Sequence, residues 1–171
     1  MGVFVGIDVS LDNCAVCAVD EHGRLVKEAK VTSDPGALHA CVRGIPGVVE
    51  AIGIEAGPLS QWLHKSLTDL GLPVVLMETR QVKAALKAAP VKTDRRDAAG
   101  LARLLQMGWF RPVHCKSLSA QELRVLLGAR RSVQDAAINI EMSLRGMLRN
   151  FGLRLGRIGK VSFEDRVREL T

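Results

Sequence analysis

Apolar and polar residues alternate most clearly at the start of the chain. "VFVGIDV" (3–9) alternates and is rich in β-branched residues, which predicts a strand. "SLDN" reads as a turn, "CAVCAV" (14–19) as a second strand, "DEHG" as another turn and "RLVKEAKVT" (24–32) as a third strand. Three strands joined by short turns predict an antiparallel meander. After "SDPG", residues 37–44 are helix-like and "VVEAIGIE" (48–55) is a fourth strand closed by "AGP". In "LSQWLHKSLTDLG" the residues Leu59, Trp62, Leu63, Leu67 and Leu70 share one helical face, and Gly71 is the stop. "LPVVLME" (72–78) is short and almost wholly apolar, as a strand covered on both faces should be. Helical patterning follows from about residue 79. The order βββαβαβα predicts an α/β fold, a mixed sheet flanked by helices.

Further along, Val133, Ala137, Ile140, Leu144, Met147 and Phe151 are spaced in alternating steps of four and three. Leu126 extends this heptad pattern and Arg130 interrupts it. A long helix that pairs with another fits the spacing. So does an ordinary amphipathic helix lying on its own sheet.

Composition narrows the class. A chain of 171 residues with 47% hydrophobic and 25% charged content can bury a core. No apolar run approaches the ~20 residues of a membrane span. "MGVFVGIDV" enters a strand without the features of a signal peptide, and Gly6 stands where a myristoylation motif needs Ser or Thr, so the default location is cytoplasmic. Cys14 and Cys17 form one C-x-x-C inside a strand-like run, while Cys41 and Cys115 stand apart. Buried thiols explain this better than zinc, which needs a second pair.

The net charge of +6 hides a division. Residues 1–78 carry five Lys/Arg against ten Asp/Glu, a net −5, whereas residues 79–171 carry nineteen against eight, a net +11. A basic latter part suits an anionic polymer, though a solvated helical surface is also consistent. Arg124, Arg130, Arg131, Arg145 and Arg149 are the candidate phosphate contacts there, joined by Arg95 and Arg96. With two Trp, four Phe and no Tyr, base stacking is not the obvious mode, and recognition of shape and phosphate fits better.

Four acids carry the candidate chemistry. Asp8 lies near the end of the first strand, on the face of Phe4 and Gly6, and Glu55 closes the fourth strand. In "VKTDRRDAAGLARLL" (91–105), Thr93 is a plausible N-cap that puts Asp94 and Asp97 in the first turn of a helix. Their i, i+3 spacing aligns them with the stripe of Leu101, Leu104 and Leu105, so both are expected to face the sheet. A helix dipole favours acids in its first turn by ~0.3–1 kcal/mol each, which alone could account for Asp94 or Asp97. Asp8 could cap a turn, but Glu55 gains nothing from a dipole. Four converging carboxylates repel without a cation. Hard oxygen donors suit Mg²⁺ or Mn²⁺, and paired divalent ions can clamp both oxygens of a phosphodiester displacement.

The series "GIDVSLDN", "GIEAGP" and "KTDRRDAAGLARLL", together with "LGLPVVLMETRQVKAALKA" before the last motif, resembles the N-terminal domain of the DEDD transposases of bacterial insertion sequences. The resemblance spans about residues 3 to 150. It implies a ribonuclease H-like, RuvC-like domain over 1–115 and a basic, coiled-coil-like helical extension over 116–171. It also implies Asp8, Glu55, Asp94 and Asp97 as ligands of divalent metal, with DNA and a structured guide RNA as partners and a homo-oligomer through the C-terminal helix. Relatives carry a further domain with a nucleophilic serine. None of Ser117, Ser119, Ser132, Ser143 or Ser162 sits in a matching motif, so the chain is expected to be the N-terminal part and incomplete for strand exchange alone. A Holliday-junction resolvase would use the same acids. A DEDD-type exonuclease would need an acid where Ser10 stands, and an actin-like ATPase would need a second lobe. A binding remnant without chemistry is the alternative of another class.

Overall fold

The structure, a computed structural model, describes residues 1–87 and 93–171. Val91 and Lys92, which open the acidic motif, lie outside the described residues. The described chain divides into two compact units, Met1–Lys116 and Ser117–Thr171.

In the first unit, β1 (Gly2–Asp8), β2 (Asn13–Asp20) and β3 (Leu25–Thr32) form the expected meander, with Asp8 paired to Ala15 and Ala15 to Lys30. Helix α1 (Pro35–Arg43) follows, started by Asp34, whose carboxylate accepts the Ala37 N–H at 2.8 Å. Next come β4 (Val48–Glu55), α2 (Ser60–Asp69) and β5 (Val74–Met77). Gly71 ends α2 with φ of 80°, a left-handed turn open to glycine at no steric cost. Helices α3 (Thr79–Leu86) and α4 (Asp94–Gln106) complete the unit. The sheet order is β3-β2-β1-β4-β5, with β4 parallel to β1 and β5 parallel to β4, so that β2 alone runs against the others.

Alternation along each strand builds a core on both faces. Val3, Val5, Ile7, Ile52 and Ile54 turn to the side of α1 and α2, where they meet Leu38, Val42, Leu63 and Leu67. Phe4 and Ala51 turn to the other side, against Leu101, Leu104 and Leu105 of α4 and Val82 of α3. Strand β5 is covered on both faces as its composition requires, Leu76 joining one cluster and Met77 the other. The helical stripe read for α2 is narrower than expected. Leu63 and Leu67 are buried, whereas Trp62 and Leu70 are half-exposed, because they flank the two residues that point at the sheet.

The backbone of α4 comes so close to β1 that a Cβ at Gly6 would stand 2.1 Å from the Ala98 carbonyl oxygen and 2.5 Å from the Ala102 nitrogen. Only glycine permits that approach. At the far end of α4, the Gln106 side chain donates to the Glu21 carbonyl at 2.9 Å, in the turn after β2. Because Val3 pairs with Asp20 and Asp8 with Ala15, that turn lies at the opposite end of β1 from Asp8. Helix α4 therefore runs counter to β1, and its first turn lies at the end of the sheet that carries Asp8.

The second unit contains α5 (Leu118–Arg149), a 32-residue helix capped by Ser117, a 3-10 turn at Lys160–Ser162 and α6 (Phe163–Leu170). Leu148, Leu155 and Phe163 form its small core, with Leu144 and Val167 packed against them. The long helix agrees with the heptad spacing. Its stripe is largely exposed: Val133, Ile140 and Met147, with Phe151 just beyond the helix, are all open to solvent.

Candidate functional site

Two of the four acids lie together. Register pairs Ile7 with Ile54 on the parallel strands β1 and β4, so Asp8 and Glu55 follow side by side at the strands' carboxyl ends. Both alternate onto the α4 face, two residues beyond Gly6 and Gly53 respectively. Each is half-buried, and both line one open cleft of about 550 Å³. The carboxyl ends of parallel strands are where α/β sheets habitually place ligands. The loop Val9–Leu11, the segment Ala56–Ser60 and, from α3, Thr79 and Lys83 form the rest of the cleft wall.

Hydrogen bonds hold these walls. Ser60, buried at the start of α2, accepts the Gly57 N–H at 2.6 Å and donates to the Gly57 carbonyl at 2.7 Å, which fixes the loop after Glu55. The Thr79 hydroxyl donates to the Ala56 carbonyl at 2.6 Å, and the Ala56 N–H donates to the Met77 carbonyl at 3.0 Å. The Ser10 hydroxyl donates to the Asn13 carbonyl across the β1–β2 turn, and Ser33 donates to the Ser10 carbonyl at 2.6 Å.

The other two acids open α4. Thr93 is the N-cap, its hydroxyl accepting the Arg96 N–H at 3.3 Å. Asp97 is half-buried and continues the stripe that runs through Leu101. Asp94 is exposed and lines a separate depression with Asn13, Ala15, Glu28 and Lys30. Asp97 is thus half-buried, as a residue facing the sheet should be, whereas Asp94, though set against β2 and β3, is exposed and lies outside the cleft of Asp8 and Glu55. Ala98 is the first buried residue of α4, and Asp94 projects one turn beyond that first contact with the sheet. All four carboxylates thus belong to one end of the sheet. Among the described residues, however, no group of three or more His, Cys, Asp or Glu is close enough to hold a metal ion.

Arg95 makes an ion pair with Glu28 of β3, tying the first turn of α4 to the far side of the meander. Arg96, Arg124, Arg130, Arg131 and Arg149 are exposed. Arg131 is 3.9 Å from Asp135. Arg145 has a structural post: it donates to the Gly156 carbonyl at 2.9 Å and stands 5.1 Å over the Phe163 ring. Cys14 and Cys17 are free and buried, and they belong to clusters on opposite faces of the sheet, an arrangement that rules out a shared metal. Burial, with Glu28 nearby, pushes the Cys17 thiol up to about 11. Thr79 and Lys83 were not singled out by the sequence reading. The signal available was their i, i+4 spacing in the helix directly after a buried strand.

A five-stranded sheet of this order, with β2 alone reversed, is a ribonuclease H-like fold. The chain belongs to the IS110-type family of DEDD transposases: that family, described as "Transposase", matches residues 5–152. Over 167 residues it is 28% identical to the transposase for insertion sequence element IS1111A of Coxiella burnetii (strain RSA 493 / Nine Mile phase I), which covers 94% of this chain and 43% of that relative. It is 30% identical over 169 residues to y4qE of Sinorhizobium fredii (strain NBRC 101917 / NGR234), covering 95% and 42% respectively. The chain therefore spans less than half the length of these relatives. Among solved structures it is similar to T. thermophilus RuvC in complex with a Holliday junction substrate, with a TM-score of 0.47 and 22% identity over 66% of this chain and 100% of the other. Among the described residues no helix is long and apolar enough to cross a membrane.

Proposed function

We propose that the chain is the nuclease-bearing part of an insertion-sequence transposase, acting on DNA phosphodiesters. The reading is carried by the membership of the transposase family together with Asp8 and Glu55, adjacent at the ends of parallel strands and open to one cleft. Asp8, Glu55, Asp94 and Asp97 are the proposed ligands of Mg²⁺ or Mn²⁺. Their donor chemistry fits: carboxylate oxygens alone, hard and anionic, suit these ions and not zinc. Bound there, a divalent ion would polarise a scissile phosphate and activate an attacking oxygen. The residues of the chain itself have simpler tasks. Ser60 and Thr79 hold the cleft walls beside Glu55, and the Arg95–Glu28 pair holds the turn of α4 that carries Asp94 and Asp97.

DNA and a structured guide RNA are the proposed partners, gripped through phosphates by Arg96, Arg124, Arg130, Arg131 and Arg149, and by Arg95 if it leaves Glu28. A homo-oligomer through α5 is proposed from its exposed stripe. A second reading, a nucleic-acid-binding part without chemistry of its own, draws support from the exposed position of Asp94 away from the cleft of Asp8 and Glu55. The two are separated by incubating the purified chain with labelled duplex and four-way-junction DNA, with Mn²⁺ and without it. Mn²⁺-dependent nicking that Asp8→Asn abolishes supports the nuclease reading, and preferential cutting of junctions would make it resolvase-like. Tight DNA binding with no nicking supports the second reading.

A further inference from the structure

The cleft of Asp8 and Glu55 poses an electrostatic problem for a polyanionic substrate. Two carboxylates lie on its wall, and residues 1–78, which supply them, carry a net −5. The cations of the chain are not concentrated where the long helix suggests. Residues 79–116 hold nine Lys/Arg against two Asp/Glu, a net +7, which is most of the excess in the latter part. Among the described residues that line the cleft, Lys83 is the single Lys or Arg.

The fold fixes where Lys83 is presented. Val82 beside it is fully buried against the α4 cluster, which sets the rotation of α3 about its axis. Thr79, one turn earlier on the same helical face, also lines the cleft, and its hydroxyl bonds the carbonyl of Ala56, the residue after Glu55. The base of α3 is thus fastened to the backbone that carries one of the acids. Lys83 itself is exposed, with a flexible four-carbon stem that can follow a phosphate.

Given the DNA-acting role proposed above, on which this inference rests, we infer that Lys83 is a phosphate-binding residue of the cleft. It holds the nucleic-acid backbone against the wall formed by Asp8 and Glu55. Lysine suits the task as a point charge that neutralises one phosphate without reading sequence.

The test is equilibrium binding of the purified chain to a short fluorescein-labelled DNA duplex across a series of salt concentrations. Lys83→Ala should bind more weakly, with a plot of log affinity against log salt shallower by about 0.9, the loss of one phosphate contact. Lys83→Arg should keep the wild-type slope. Lys65→Ala removes a lysine that pairs with Asp69 at 2.6 Å and is not part of the cleft, and it should also leave the slope unchanged. Thermal unfolding of Lys83→Ala should match wild type, because the side chain is exposed. An unchanged slope in Lys83→Ala, or an equal change in Lys65→Ala, would overturn the assignment while leaving the DNA-acting role intact. Failure of wild type to bind the duplex at all would overturn that role and the assignment with it.

Discussion

At Gly6 one absent methyl group decides whether α4 can lie on the sheet. The obstruction facing a Cβ there is backbone, the Ala98 carbonyl at 2.1 Å and the Ala102 nitrogen at 2.5 Å, and neither can move without displacing the helix. At Gly53 the nearest atoms, 2.7 and 2.8 Å away, are the Met77 sulfur and a Leu105 methyl, which can rotate aside. Gly6→Ala should therefore destabilise the fold by ~3 kcal/mol and Gly53→Ala by about 1 kcal/mol, the difference between forced backbone shift and side-chain repacking. Urea denaturation of the two variants checks this, and equal losses would mean that α4 yields as readily as a side chain. Displacing α4 would also displace Asp97, one of the proposed metal ligands. From the sequence, Gly6 was visible as a small residue on the strand face of Asp8, with no sign of the helix against it. Its contact with α4 joins residues more than ninety positions apart, and no local pattern records such a contact.

Elements were legible where their periodicity is strong. The meander and β4 follow from alternation, and β5 from its unbroken apolar run, with boundaries within about two residues of those observed. The acidic ends of β1 and β4 could be read the same way, because register and strand direction place neighbours at a strand end. Helix α6 was not distinguished as a separate element, although "SFEDRVREL" carries acids in its first turn and Phe163, Val167 and Leu170 at helical spacing. Its charge masked a narrow apolar stripe. For α5, the sequence left open whether the stripe met a partner helix or its own sheet. Pairing with another helix is the reading proposed for this stripe, in which Val133 is 71% and Ile140 62% exposed. Ile140→Asp should then lower the apparent mass of the chain in sedimentation equilibrium without lowering its helicity by circular dichroism. A mass that is identical in variant and wild type at all concentrations would exclude this stripe as the contact.

Across the molecule, carboxylates and cations are sorted to different places. The four proposed metal ligands stand at one end of the ribonuclease H-like sheet, and the cations cluster in α3, α4 and the segments that follow. That plan was legible from the sequence as a sum of charges, but not in its detail: Arg95 is paired with Glu28, and Arg145 bonds the Gly156 carbonyl and braces Phe163. The central proposal is that Asp8, Glu55, Asp94 and Asp97 together hold a divalent metal, although no three of them stand close enough to share an ion among the described residues. Calorimetric titration of Mn²⁺ into the purified chain, beside an Asp8→Asn/Asp97→Asn double variant, tests it most directly. The account predicts saturable binding by the wild type that the double variant loses. Equal heats from both proteins, or no saturable binding by either, would contradict it.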